Sequence, residues 1–136
     1  PRGTIGLYVW DYPGGGLQLL QAFWEAAADV DARARALSED RRFPFCTPTG
    51  LIELARDCGL VDVECAPIEI ATEFKDFDDF WRPFTHGTGP APGFCTSLDP
   101  TAQLKLADLL RSRLPYQPDG TIALTARAWA VKARNA

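Results

Sequence analysis

The stretch Thr4-Ile5-Gly6-Leu7-Tyr8-Val9-Trp10-Asp11-Tyr12, followed by Pro13-Gly14-Gly15-Gly16, constrains the fold more than any other part of the chain. In an extended conformation Ile5, Leu7 and Val9 point to one face and Tyr8 and Trp10 to the other. Both faces of a strand over Thr4–Asp11 are therefore apolar, which is typical of the middle of an α/β sheet. Pro-Gly-Gly-Gly breaks the run, and a helical pattern starts at Leu17. A buried strand normally has chain on both sides. This one begins at residue 4, in a chain without methionine. The sequence is therefore expected to be the second half of a larger unit.

A chain of 136 residues suffices for one domain. Its 46% of hydrophobic and 24% of charged residues exclude global disorder. The net charge is −4, and the cations are scattered rather than gathered on one face. That argues against a nucleic-acid partner, which needs many phosphate-neutralising groups together. Cys46, Cys58, Cys65 and Cys95 contain no C-x-x-C pair, and His86 is the sole histidine, so no metal site is expected. Cys58 and Cys65 sit in amphipathic patterns and read as small hydrophobes, reduced in a cytoplasmic protein. No apolar run is long enough to span a bilayer, and no signal peptide is visible.

Along the chain, Leu20, Phe23, Trp24 and Ala27 share one face of a helix over Leu17–Ala32. Leu37–Phe45 reads as a connecting loop. Thr47-Pro48 is a helix start, Leu51, Leu54, Ala55 and Cys58 form its stripe, and Gly59 ends it. Alternation predicts strands over Val61–Cys65 and Ile68–Thr72. Pro67 between them demands an edge position or a bulge. Phe77, Phe80, Trp81 and Phe84 fall on one face of a short helix, and Gly87–Gly93 reads as loop. A further helix starts after Ser97 or Asp99, with Leu104, Ala107, Leu110 and Leu114 as its stripe and Leu106 and Leu109 broadening it. Thr121–Lys132 carries few charges and reads as a long central strand.

Taken together, these residues resemble the C-terminal half of the class I S-adenosylmethionine-dependent methyltransferases. Pro1-Arg2-Gly3-Thr4 is similar to the end of the leucine-(lysine/arginine)-proline-glycine-glycine turn before that family's fifth strand. Trp10-Asp11-Tyr12 is similar to the end of the fifth strand and its substrate-side loop. Thr47-Pro48, Leu51, Leu54 and Gly59-Leu60-Val61-Asp62-Val63 look like the helix, turn and sixth strand. Thr121–Val131 resembles the antiparallel seventh strand, which lies between the fifth and sixth in the family. The nearest subgroup resembles the small-molecule enzymes of ubiquinone and menaquinone biosynthesis. The resemblance implies an α/β fold: a partial Rossmann-like sheet with flanking helices. Residues 1–136 would form a single partial domain, with 74–94 as an aromatic, lid-like insertion. It also implies S-adenosylmethionine as cofactor of the full-length parent. The family's cofactor-binding motifs have no counterpart here. Gly14-Gly15-Gly16 does not fit G-x-G-x-x-G, because Leu19 stands where the last glycine belongs, and reads as a loop needing flexible backbone.

Two groups of candidate site residues emerge. Trp10, Asp11 and Tyr12 lie where a strand's carboxyl end meets a loop, the usual ligand position in open α/β sheets; core packing and turn capping are the structural alternative. Phe77, Phe80, Trp81 and Phe84 offer an apolar wall for a small-molecule acceptor or a helix packed on the core. His86 offers a general base at neutral pH or a plain surface residue. Glu39-Asp40 and Asp78-Asp79 are adjacent in sequence, do not face one another on a helix, and read as solvated. Methyl transfer relies heavily on positioning, so a sparse set of acids and bases is compatible with it.

The expected function is the acceptor side of a small-molecule methyltransferase, inactive as an isolated fragment and binding no cofactor itself. Two alternatives are a stand-alone small-molecule binding domain and a non-catalytic module that pairs with a separate cofactor-binding chain. An unpaired edge on the strand over residues 4–11 predicts self-association.

Overall fold

The computed structural model describes residues 3–135; Pro1 and Arg2 of the proline-glycine turn lie outside them. The described chain is mixed α/β. A three-stranded antiparallel sheet, ordered β1-β3-β2, is flanked by helices. β1 is Thr4–Trp10, β2 is Leu60–Phe74 and β3 is Ile122–Asn135. The last strand of the chain is thus the middle of the sheet and pairs antiparallel with both neighbours. This agrees with the central character read from its composition.

Sequence alternation and ladder geometry explain how Pro67 is accommodated. β2 is one continuous strand rather than two, with Pro67 opposite Trp129. Asp11 N–H donates to Arg127 O, and Asn135 N–H to Gly3 O. Odd-numbered residues of β3 therefore turn their backbone groups toward β1, and even-numbered ones toward β2. Pro67 pairs with an odd residue, so its missing N–H falls on the outer edge and costs no ladder bond. The register shifts between Val61 and Glu64, where Asp62 takes φ 51°. β2 thus combines an edge position with a bulge.

The helices divide between the two faces of the sheet. On one face lie α1 (Gln18–Val30), α5 (Phe77–His86), α6 (Pro90–Ser97) and α7 (Pro100–Arg113). They bury Phe23, Phe80, Phe84, Leu106 and Leu110 against Ile122 and Leu124. Phe84 stacks on Phe23 at 4.3 Å, and Phe80 meets Phe74 edge-on at 5.3 Å. The other face carries α4 (Pro48–Asp57), whose Leu51 and Ala55 lie near Val131 and Ala133. β3 switches the parity of its buried residues accordingly, from Ile122, Leu124, Ala126 and Ala128 to Val131 and Ala133. No described helix is long and apolar enough to cross a membrane.

Capping chemistry locates the helix starts. Thr47 accepts from Gly50 N–H at 3.1 Å, with Pro48 in the first turn of α4. Of the two candidate caps for α7, Asp99 serves, accepting from Ala102 N–H at 2.9 Å. Several expectations need correction. β1 is not buried in the middle of the sheet: it stands at an edge, with Ile5, Leu7 and Tyr8 exposed, because among the described residues only β3 pairs with it. In α4 only Leu51 and Ala55 are buried, whereas Leu54 and Cys58 of the expected stripe are exposed. Leu37–Phe45 is not all loop: the one-turn helices α2 (Ala34–Leu37) and α3 (Glu39–Arg42) occupy much of this region. Gly87–Gly93 does not remain loop, because α6 begins at Pro90. Its prolines fall in the first turn, where no intrahelical N–H is required. Leu104 is 67% exposed, and the buried residues of α7 are Leu106, Ala107 and Leu110.

The four cysteines are all free. Burial pushes the Cys95 thiol up to about 11 from 9.0. Between these values the unfolded chain loses this proton while the folded chain keeps it. Its contribution to stability is thus complete below about pH 9 and is lost as pH rises toward 11. Urea unfolding at fixed pH values checks this, and Cys95→Ala is expected to flatten that part of the profile. At neutral pH, Phe80→Ala is expected to cost about 3–5 kcal/mol, and Leu104→Ala less than about 0.5 kcal/mol.

Candidate functional site

The end of β1 is turned into a corner by one carboxylate. Asp11 is 2% exposed. Its Oδ1 accepts from Gly14 N–H at 3.0 Å. Its Oδ2 accepts from Arg127 Nε at 2.9 Å and lies 2.8 Å from the second guanidinium nitrogen. The backbones are tied as well: Arg127 N–H donates to Gly16 O at 2.9 Å, and Gly16 N–H to Asp11 O at 2.9 Å. The strand, the loop and the start of α1 are thereby fixed to the centre of β3.

This geometry explains the triple glycine more fully than flexibility does. A Cβ on Gly14 would come within 2.5 Å of the Asp11 carboxylate. One on Gly16 would approach the Asp11 side chain at 2.7 Å and Arg127 Cβ at 2.9 Å. Gly15 has φ +68°, a conformation glycine adopts cheaply. The small residues make room for Asp11 itself.

Beyond this loop lies an open cleft of about 400 Å³, lined by Tyr12, Gln21, Trp24, Arg35 and Glu39 among others. Glu39 is 7% exposed, and its Oε2 accepts from Trp24 Nε1 at 2.5 Å. The phenol of Tyr12 is held above its ordinary pKa by burial and, next, by the charge of Glu39; Arg42 opposes this. The Tyr12 ring also packs against Phe43 at 5.8 Å. Cys46 is buried nearby, its thiol raised by burial and then by Asp11. The cleft thus presents a buried carboxylate, an indole and a phenol, with Arg35, Asp40 and Arg41 at its margins.

Glu39 was expected to be solvated and is buried instead. Its one-turn helix α3 packs on α2, which packs on α1, and this brings its carboxylate to the Trp24 indole. No local signal marks it: Glu39 stands in the charged run Ser38-Glu39-Asp40-Arg41-Arg42, and its partner tryptophan lies on the buried stripe of α1. Sequence spacing does not reveal that the two meet.

The other candidates are dispersed. Trp10 ends β1 opposite Ala128, half-buried. Asp11 forms the corner, and Tyr12 lines the cleft. Phe77, Phe80 and Phe84 are core residues, 8%, 0% and 2% exposed, and Trp81 is half-buried, stacked on Phe77 at 6.1 Å. His86 is exposed, with its Nδ1 2.7 Å from Thr85 Oγ1. None of the residues from Phe77 to His86 lines the cleft beside Tyr12.

Removing the charge at the corner is expected to loosen the whole junction. Asp11→Asn leaves Arg127 without its carboxylate and is expected to cost about 2 kcal/mol, discounted from a fully buried pair because Arg127 is partly exposed. Glu69→Gln, on the exposed partner of Arg127 at 3.7 Å, is expected to cost under about 0.5 kcal/mol. Urea unfolding of the two variants measures the difference. No family model matches the sequence, and no curated protein matches it either.

Proposed function

We propose that this chain is the acceptor-side part of an S-adenosylmethionine-dependent methyltransferase acting on a small molecule, with the acceptor bound in the Tyr12–Trp24–Glu39 cleft. The observation that carries this reading is the strand order β1-β3-β2, with the last strand of the chain inserted antiparallel between the other two. This is the arrangement expected of strands resembling the fifth, seventh and sixth of a Rossmann-like methyltransferase sheet. The loop after β1 then lies at a strand's carboxyl end, where open α/β sheets bind ligands.

The residues present do not suit the cofactor. The glycines after β1 accommodate the Asp11 side chain, which fills the space a ligand would need there. On this reading the cofactor is held by residues outside the 136-residue chain. This chain's own contribution is to bind and orient the acceptor. Trp24 and Tyr12 offer aromatic surface, and Glu39 offers a hydrogen-bond acceptor for a hydroxyl or amine. A hydroxyl or amine loses a proton on methylation, and Glu39 is the buried carboxylate in the cleft suited to take it. The competing picture of a self-sufficient binding domain drew on the rings from Phe77 to Phe84 as a pocket wall. Phe77, Phe80 and Phe84 lie in the core, so a self-sufficient binding domain would have to use the Tyr12–Trp24–Glu39 cleft instead.

Two measurements test the proposal. The coding sequence upstream of Pro1 is expected to continue in frame into a glycine-rich strand–turn–helix; an initiation codon directly before Pro1 contradicts the reading. Isothermal titration of the chain with S-adenosylmethionine is expected to show no micromolar binding. Micromolar affinity would mean that the cofactor residues lie within it.

A further inference from the structure

We propose that this chain pairs with a second copy of itself through the outer edge of β1, antiparallel, in the register that puts Leu7 on a twofold axis. The inference concerns the 136-residue chain and stands independently of the acceptor cleft, which lies in the loop and helices beyond β1. In a longer parent of the kind proposed above, the same edge would take that sheet's fourth strand instead of a second copy.

Among the described residues β1 has a strand partner on one side only. Its odd-numbered residues turn their backbone groups toward β3, as Gly3 O and Asp11 N show. The N–H and C=O groups of Thr4, Gly6 and Tyr8 and the N–H of Trp10 therefore point outward, while Trp10 O already accepts from Tyr12 N–H at 3.0 Å. The segment Thr4–Trp10 carries no charge and no proline, the two commonest guards of a free edge. Its side chains are open as well: Ile5, Leu7 and Tyr8 are 43%, 45% and 73% exposed.

The outward groups restrict the registers that a self-pairing can adopt. Even-numbered residues must oppose even-numbered ones, so that each pair exchanges both backbone bonds. Centring on Leu7 uses the whole strand; centring on Gly6 or Tyr8 leaves one end unpaired. In the Leu7 register Thr4 faces the partner's Trp10, and Gly6 faces the partner's Tyr8. On the opposite surface Ile5 faces the partner's Val9, and Leu7 faces the partner's Leu7.

The side chains fit this arrangement. A Cβ on Gly6 would meet nothing within 4 Å, so the partner's Tyr8 ring has room to lie over Gly6. Lys132 sits opposite Gly6 on the other side, exposed. Across the bare glycine its ammonium can reach the face of the partner's Tyr8. On the α4 side, Ile5 and Leu7 line an apolar cleft of about 140 Å³ with Leu51, Leu54 and Val131. The partner's Ile5, Leu7 and Val9 extend that surface and cover its open edge. An interface of one strand and its flanks buries on the order of 1,000 Å² in total, at the low end for specific pairs, so the dimer is concentration-dependent.

Sedimentation equilibrium on the 136-residue chain, up to about 0.2 mM, is expected to show monomer–dimer exchange. Leu7→Lys places two like charges on the axis and is expected to leave monomer throughout, with an unchanged far-ultraviolet circular dichroism spectrum. A cysteine pair reads the register, whatever the lysine variant does to folding. In a Cys58→Ser, Cys65→Ser background, Leu7→Cys is expected to oxidise to a covalent dimer. A non-hydrogen-bonded antiparallel pair brings the Cα atoms to about 4.5 Å, within disulfide reach. Tyr8→Cys, facing the partner's Gly6, is expected not to cross-link. Monomer across the range, a folded Leu7→Lys dimer, or equal cross-linking of both cysteine variants overturns the proposal.

Discussion

The ion pair between Asp11 and Arg127 is the constraint on which the rest of this structure depends. It joins residues 116 apart in sequence and ties the end of β1 to the middle of β3. A carboxylate this deeply buried carries a large desolvation cost unless it is paired and hydrogen-bonded. Asp11 is satisfied from two directions, by the guanidinium and by the Gly14 amide. The loop must then wrap closely around the carboxylate, which accounts for the glycines at 14 and 16. α1 leaves that loop at a fixed position, and Trp24 on α1 meets Glu39 across the cleft. The position of the cleft is a downstream consequence of the corner.

The sheet is covered unevenly, and that asymmetry shapes its chemistry. One face packs the phenylalanines of α1, α5 and α6 into a dense core. The other carries α4 and leaves apolar side chains of β1 partly open. The two proposals draw on different parts of this layout. Acceptor binding uses the polar cleft beyond the corner, where a buried carboxylate faces aromatic rings. Pairing with a second copy uses the neutral, unguarded edge of β1. The first requires Tyr12, Trp24 and Glu39 to stay in place, and the second requires only an intact strand.

Much of the fold was legible because local chemistry and tertiary packing agree. Thr47-Pro48 and Asp99-Pro100 are helix starts by capping alone, and Gly59 ends its helix at φ 78°. The low charge of residues 121–132 marked the strand buried at the centre. The misreadings have physical causes too. Prolines 90 and 92 suggested a loop, because proline disfavours a helix interior, yet a first turn tolerates it. Leu104 stands at one end of a broad leucine stripe, and the buried face of α7 runs through Leu106, Ala107 and Leu110 and leaves it in solvent. The site was less legible than the fold. Asp11 and Tyr12 were visible at a strand end, but Glu39 becomes part of a site only through a contact with Trp24, 15 residues away. The rings of α5 show the reverse case: an aromatic stripe suits a pocket wall or a core equally well in sequence, and packing against Phe23 and Phe74 makes it core.

The claim that the cleft beside the corner binds the small molecule is tested most directly by the indole N–H signals of the chain in heteronuclear magnetic resonance spectra. The four tryptophans sample the candidate sites separately: Trp24 in the cleft, Trp81 on α5, Trp10 and Trp129 in the sheet. Titration with phenol, a small hydroxylated aromatic probe, is expected to shift the Trp24 indole signal saturably and to leave Trp81 in place, and Glu39→Ala is expected to abolish the shift. A saturable response at Trp81 with none at Trp24, or no saturable response at all, would contradict the account.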